Sequence, residues 1–528
     1  MKKVLWIMPF VFLVASLQVY GSGAAQAQAP GPSAKVSKTG FPIVSEPITL
    51  KVLGRRAVVH GPWESMLVFT EYEKMTNVKI QWETVMDAGY REKLNLLLAS
   101  GDLPDAIVRA GLSPSDVAKY GPQGVFMPLE GLVKDWGPNL NAHFKTYPEA
   151  LNSSLAADGH MYALPAIVTL DAARTEKHWI NKKWLDKLGM KVPENFEDFK
   201  KVLVAFRDKD PNGNGKADEI PMTARSFSNN GFGNIILNYV GSFGLNVQFG
   251  YWVTLENGKA SVWVGDARYR QLLEVLASLY KEGLLDKNFA SQTQQEWLAK
   301  HNPDLVGFFA NQADDTFTRF AADFVGIAPF KGPSGAQGKN NSPVARDFGT
   351  FAITSANKYP EASMRWVDYF YSQDGSRFFR MGLEGQTYLK DKDGRYVYTD
   401  SINKDPRGTG AAIGQFTIWP QGGAPHLIND ENSIAVNSLT TSRAQEALQR
   451  YLDKPVYGAP IFSPADQDAV AAIRTDLDTY VQENAARFIT GAQPFSQWNE
   501  YVAGLERIGI KKLDAYYQKA YENMVGKK

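Results

Sequence analysis

The stretch from Ile48 to Val108 restricts the fold more than any other part of the chain. "ITLKVLG" (Ile48 to Gly54) alternates apolar and polar residues with the two-residue period of a strand. "NVKIQWETV" (Asn77 to Val85) repeats it, with a helix-like segment from Trp63 between them. "REKLNLLLASGDLPDAIV" then sets Leu94, Leu97 and Leu98 on one helix face, stops at Gly101 and ends in a short apolar strand, Ala106 to Val108. Strand, helix, strand, helix, strand predicts parallel pairing in an α/β layer, because parallel strands need a long crossover between them.

The chain is longer than one such layer requires. At 528 residues and 44% hydrophobic it can fill more than one core, and two lobes are expected. A second helical set begins near Lys182, and "ENFEDFKKVLVAFRDKD" spaces Phe196, Phe199, Leu203 and Phe206 at three- and four-residue steps. Further helices are expected at Arg268 to Glu282, Tyr359 to Ser372, Ser442 to Leu452, Asp466 to Thr490 and Trp498 to Val525. No internal repeat is visible.

The first 29 residues read as a secretory signal peptide: a basic start at Lys2 and Lys3, an apolar run from Val4 to Val19, and small-residue cleavage sites ending at Ala27 or Ala29. There is no cysteine, which excludes disulfides, thiolate metal sites, a thiol nucleophile and a lipid-modified cysteine at the leader junction. With an exported chain, the missing lipid anchor points to the periplasm. The formal charge is +1, and losing Lys2 and Lys3 with the leader makes it −1. Nucleic-acid binding, which leans on a clear basic excess, is therefore not expected.

"RDKDPNGNGKADEIP" (Arg207 to Pro221) follows the Phe196 helix directly. Asp210, Asn212, Asn214, Gly215, Lys216 and Asp218 fall on the first nine positions of a calcium loop: alternate oxygen side chains, a turn glycine, then a main-chain carbonyl. Hard oxygen donors without histidine or cysteine suit Ca²⁺. The twelfth position, where such a loop ordinarily has a bidentate glutamate, is Pro221, and Glu219 is the substitute two residues early. A solvated Asp/Asn/Gly turn is the metal-free alternative. A sensor role is disfavoured by there being one loop and no helix pair to open.

With the loop read this way, the chain resembles the extracellular solute-binding proteins of ABC importers that take up oligosaccharides. It is similar in particular to the calcium-containing alginate-oligosaccharide-binding proteins. The likeness continues in order through "LNLLLASGDLPDAI", "DGHMYALP", "WLDKLGMKVP", "LYKEGLLD", "FAITSANKYPEASMRWVDYFYS" and "FSQWNEYVAGLERIGIKKLDAYYQKAYENM". The resemblance implies a two-lobed, periplasmic-binding-protein-like (type II) α/β fold with a ligand cleft between lobes. It implies an N-terminal lobe of residues 43–165 plus 352–405 and a C-terminal lobe of 166–351 plus 406–528, with crossings near Pro165 and near Phe348 to Ile353. It also implies a structural calcium held by Asp210, Asn212, Asn214, the Lys216 carbonyl, Asp218 and Glu219. A monomer that closes over an oligosaccharide and delivers it to a membrane permease completes the implication.

Sugar faces stack on aromatic rings and their hydroxyls pair with polar side chains. Trp184, Trp366 and Trp498 sit at helical spacing with other apolar residues and are expected in cores. Loops offer better ligand candidates. "TIWPQGGAPH" carries Trp419 and Gln421, and the related alginate binders have an aromatic-glutamine pair in the matching loop. Trp63 in "HGPWE" and Tyr388 in "GLEGQTYL" are the other aromatic candidates. Arg55, Arg174, Asn229 and Asn230 are polar candidates, with a solvated surface as the alternative for each. The sequence departs from the alginate binders near Ala313 and Asp314, where Asp314 and Asp315 would repel a nearby uronate.

A secreted glycoside hydrolase or polysaccharide lyase would need only two carboxylates across a cleft. The chain carries no serine elbow, zinc helix or phosphate loop, so catalysis is not expected. A peptide or other small-molecule binder of the same fold is the second alternative.

Overall fold

The computed structural model describes residues 35–171, 175–225, 233–247, 253–301, 303–312, 321–341, 343–420, 422–429, 439–453 and 462–526. In chain order the described strands are β1 (Ile48–Arg56), β2 (Val78–Met86), β3 (Ala106–Val108), β4 (Leu164–Val168), β5 (Lys177–Asn181), β6 (Ile220–Met222) and β7 (Val253–Glu256). They continue with β8 (Lys259–Val262), β9 (Val306–Asn311), β10 (Phe324–Ile327), β11 (Ala345–Ile353), β12 (Tyr388–Lys390), β13 (Tyr396–Tyr398) and β14 (Leu427–Ile428). The expected leader lies outside the described residues, and no described helix is long and apolar enough to cross a membrane.

Two sheets organise the chain. The first runs β14-β4-β11-β3-β1-β2, and the second runs β10-β5-β9-β6. The βαβαβ expectation holds in the first: β1 pairs in parallel with both β2 and β3. Its alternation works as a two-sided seal. Ile48, Leu50 and Val52 face a core shared with Trp63, Phe69 and Trp366, while Leu53 faces the helix bearing Leu94, Leu97 and Leu98. The helix Leu67–Thr76 stops at Asn77 and the helix Asp87–Ser100 at Gly101, both left-handed (φ 59° and 75°).

In the second sheet, the helix Phe196–Asp208 is capped by the Asn195 side chain, which accepts from the Asp198 N–H at 2.9 Å. It buries Phe199, Val202, Leu203 and Phe206. Phe206 can pack against β9 because residue 307 is glycine: a Cβ there would stand 2.4 Å from the Phe206 ring. The C-terminal helices Pro464–Thr490, Trp498–Ile508 and Ile510–Gly526 join this core through Leu477, Val481, Tyr501, Leu505 and Tyr517. The single helix expected from Trp498 to Val525 is two, because Gly509 (φ 114°) breaks the ladder.

The chain passes between the sheets three times: from β4 to β5, from β10 to β11, and from β14 into the helix Leu439–Gln449, which packs on β10. This corrects the expected boundaries. β4 reaches Val168, so the first crossing follows Val168 rather than Pro165, and the return precedes Ala345 rather than lying at Phe348 to Ile353. Residues 406–420 and 422–428 belong with the first sheet rather than the second. Gly61 and Val68 donate their N–H groups to the Gly414 and Phe416 carbonyls (3.0 and 3.3 Å), and β14 pairs with β4. The two-residue β14 is too short to leave a period in the sequence.

Candidate functional site

The loop of residues 210–219 joins the end of the helix Phe196–Asp208 to β6, which lies parallel to β9. Asp210 takes a left-handed backbone (φ 45°). Its carboxylate accepts N–H groups from Gly213 (2.9 Å), Asn214 (3.1 Å) and Gly215 (3.1 Å), which folds the loop around it. The Asn212 and Asn214 amides donate to Asp218 at 3.3 and 3.0 Å. Lys187 clips the outside by donating to the Asp210 and Pro211 carbonyls.

Glu219 is the anomaly. Both its carboxylate oxygens are buried and complete no well-formed hydrogen bond among the described residues, its nearest donors being the main-chain N–H groups of Glu219 and Asn212. Burial first, then repulsion from Asp210 and Asp218, raises its carboxyl above the ordinary range. A buried carboxylate facing two more carboxylates lacks a positive charge. Among the described residues no three histidine, cysteine, aspartate or glutamate side chains converge closely enough to hold an ion alone. The donor set here is mixed, however, and an asparagine amide presents oxygen instead of N–H after a half turn. Three carboxylates, two amide oxygens and a main-chain carbonyl suit a hard cation.

The second constellation lies where the crossing strands meet. Trp419 is half-buried and packs with Val168, Leu170 and Ile428 at the first and third crossings. The Arg380 guanidinium lies 3.7 Å from the centre of its ring, a close cation–π contact that fixes the indole plane. The His426 ring meets it edge-on at 4.8 Å. Trp419 opens a turn, with its carbonyl accepting from the Gly422 N–H at 3.2 Å, and Gly422 and Gly423 both have positive φ (62° and 76°). A side chain at 423 would collide with Arg55, whose Nη2 lies 2.5 Å from the position of a Cβ.

Arg109 ties this loop to the first sheet. It follows β3 with φ 52°, donates from Nε to the Gly422 carbonyl (2.8 Å) and from Nη1 to the Arg55 carbonyl (3.0 Å). His60 donates from Nε2 to the Pro420 carbonyl (2.9 Å) and accepts the Ala57 N–H on Nδ1 (3.3 Å). It is therefore neutral, and burial, then the Arg109 charge, pushes it down to about 4. Arg109, His60 and Arg380 were not singled out from sequence. A charged residue placed directly after the apolar "AIV" of β3 was the available signal for Arg109.

The structure corrects two aromatic candidates. Trp63 is wholly buried in the core of the first sheet, its indole pressed where Gly54 leaves no side chain and edge-on to Trp82 at 5.0 Å. Tyr388 lies in β12 and packs with Met381, Ile402 and Ile413 in a small core of its own. Arg55 stands at the end of β1, partly exposed, 3.5 Å from Asp87. Trp184, Trp366 and Trp498 are buried, as expected of core residues. Gln421, Arg174, Asn229, Asn230, Ala313, Asp314 and Asp315 lie outside the described residues.

Residues 61–376 match the bacterial extracellular solute-binding protein family. The chain belongs to this family. It is an exported binding protein, not an enzyme. Over 97% of both chains it is 29% identical to the fructooligosaccharide ABC transporter substrate-binding protein FusA of Streptococcus pneumoniae serotype 4 (strain ATCC BAA-334 / TIGR4). FusA has been solved in complex with kestose and, as an EF-hand mutant, with fructo-nystose. Each of those structures aligns with a TM-score of 0.74 at 26% identity, covering 91% of this chain and all of FusA. The alginate-binding protein AlgQ2, solved without calcium ion, aligns with a TM-score of 0.73 at 24% identity over 90% of this chain and 98% of its own, a likeness of fold. The two-lobed architecture expected from the sequence is the fold of these relatives.

Proposed function

We propose that this solute-binding protein captures an oligosaccharide between its two lobes and delivers it to the membrane permease of an ABC importer. The observation that carries the sugar reading is Trp419, an aromatic ring held rigid by Arg380 where the strands cross between the lobes. A flat, fixed ring at a cleft floor is what a pyranose or furanose face stacks upon. The likeness to FusA, named for fructooligosaccharides and solved with kestose, supports the same class of cargo. Closure about the three crossings would let the ligand touch both lobes at once and so favour the closed form. The protein works as a monomer in the periplasm.

Within the second lobe the loop holds a structural calcium. Asp210, Asn212, Asn214, the Lys216 carbonyl, Asp218 and Glu219 would bind it, and its charge would compensate the Glu219 carboxylate, which is buried beside Asp210 and Asp218. The ion would fix the junction between the helix Phe196–Asp208 and β6, away from Trp419 in sequence and in sheet. The test of the cargo is the melting temperature of the exported chain in calcium against neutral oligosaccharides, acidic oligosaccharides and short peptides. A true ligand at ~100 times its Kd adds about 2.7 kcal/mol. A shift with peptides and none with sugars would overturn the sugar reading.

A further inference from the structure

β2 ends the first sheet at the border opposite β14, and among the described residues no strand pairs with its outer side. It runs beside β1 for nine residues in one unbroken register, from Ile48 opposite Val78 to Arg56 opposite Met86, with no proline and no bulge. The ladder decides which main-chain groups face outward. The Ile48 N–H donates to the Asn77 carbonyl (3.1 Å) while Ile48 stands opposite Val78. In a parallel pair this turns the polar groups of the odd-numbered residues of β2 toward β1, and those of Ile80, Trp82 and Thr84 toward the open side. A long, regular edge of this kind is a template for another strand.

The edge also carries a chemical preference. Val78, Ile80 and Trp82 line a recess open to solvent together with Phe69, Glu64 and Glu73. The half-buried Trp82 ring stands 4.6 Å from Phe69 and edge-on to Trp63 at 5.0 Å, so the core holds its indole in place. Glu64 and Glu73 are exposed at the rim, and neither forms an ion pair among the described residues. The nearby Lys74 is taken by Glu71 at 2.7 Å. Aromatic rings beside two unpaired carboxylates attract an organic cation, a guanidinium or an alkylammonium. The same charges disfavour a second copy of this chain on the edge, because self-pairing would bring another Glu64 and Glu73 to the same strip.

We propose that the outer edge of β2 docks an extended segment of a partner protein that carries arginine or lysine. Its backbone pairs with Ile80, Trp82 and Thr84, and its side chain on the Trp82 face enters the recess rimmed by Glu64 and Glu73. The crossing strands β4, β11 and β14 occupy the other end of the sheet, so docking leaves Trp419 free. The inference therefore stands apart from the choice of sugar.

Fluorescence anisotropy of a labelled peptide, acetyl-Thr-Val-Arg-Val-Thr-amide, titrated with the exported chain, tests the assignment. Replacing its arginine by citrulline, or making Glu64→Gln with Glu73→Gln, should each weaken binding about tenfold, the worth of one cation–π contact and two exposed ion pairs. Thr84→Pro removes an outward N–H that the β1 ladder does not use, so the protein should still melt cooperatively while peptide affinity falls about tenfold. A peptide that does not bind at millimolar concentration, a citrulline peptide that binds as tightly, or a Thr84→Pro variant with unchanged affinity overturns the proposal. Acetyl-arginine amide binding as tightly as the peptide would reduce the recess to a small-cation site and overturn strand docking. A dimer in sedimentation that Thr84→Pro dissolves would assign the edge to a second copy and overturn it as well.

Discussion

Replacing Glu219 by glutamine should move stability in opposite directions with and without calcium. In the metal-free protein both Glu219 oxygens are buried beside Asp210 and Asp218, with only poorly aligned main-chain N–H groups of Glu219 and Asn212 near them. An unsatisfied buried acceptor costs about 1–3 kcal/mol, and more when charged. Glutamine keeps the shape, removes the charge and brings two N–H donors that the neighbouring carboxylates can accept. In excess EDTA the variant should therefore melt a few degrees above the wild type, at ~2–4 °C per kcal/mol for a lobe of this size. With free calcium at 100 times its Kd the wild type gains about 2.7 kcal/mol, roughly 5–10 °C. The variant gains little of this, so the order of the two melting points reverses. Differential scanning fluorimetry of both proteins in EDTA and in millimolar CaCl₂ reads the outcome directly. A wild type indifferent to calcium, or a variant below the wild type in both buffers, would refute the account of Glu219 as a ligand awaiting its cation.

Two tryptophans separate ligand binding from folding. Trp63→Ala, which empties a fully buried site, should cost about 3–5 kcal/mol in urea unfolding with oligosaccharide affinity unchanged. Trp419→Ala should lose at least tenfold in affinity at a smaller cost in stability, and equal effects of both on binding would contradict the assignment. Gly307→Ala, which drives a Cβ to 2.4 Å from the Phe206 ring, should destabilise by about 1–3 kcal/mol, read as a lower urea midpoint. Acid should also weaken the protein. His60, His178, His301 and His426 are all held below their ordinary range by burial, so the unfolded chain binds more protons and the stability present above pH 6.5 is lost as pH falls through it. Each should remove about 1 kcal/mol between pH 7 and 5.5, against an opposing contribution of similar size from Asp453, which burial pushes up to about 6. A urea midpoint that rises on acidification would reject this.

The parts legible in the sequence were those whose period is written in one place. The β1 to β3 run and the Phe196 helix each depend on neighbours within a few residues, and each formed as read. What was missed depends on residues far apart. Trp63 looked like a loop aromatic because nothing local reveals that Gly54 makes room for its indole. Arg380 was invisible as the support of Trp419, since the pair meet only when β14 and the preceding loop return to the first sheet.

The order of strands in the first sheet also bears on how such a chain leaves the cell. β11 lies between β3 and β4 and β14 caps the far edge, so the sheet begun at residue 48 lacks its middle until residues 345–353 arrive and its border until residue 428. A chain emerging from the ribosome N-terminus first cannot complete the first sheet early, and pairing over such sequence separations is slow. Slow closure of the first sheet would leave such a polypeptide unfolded for longer, the state in which a secretion channel can thread it.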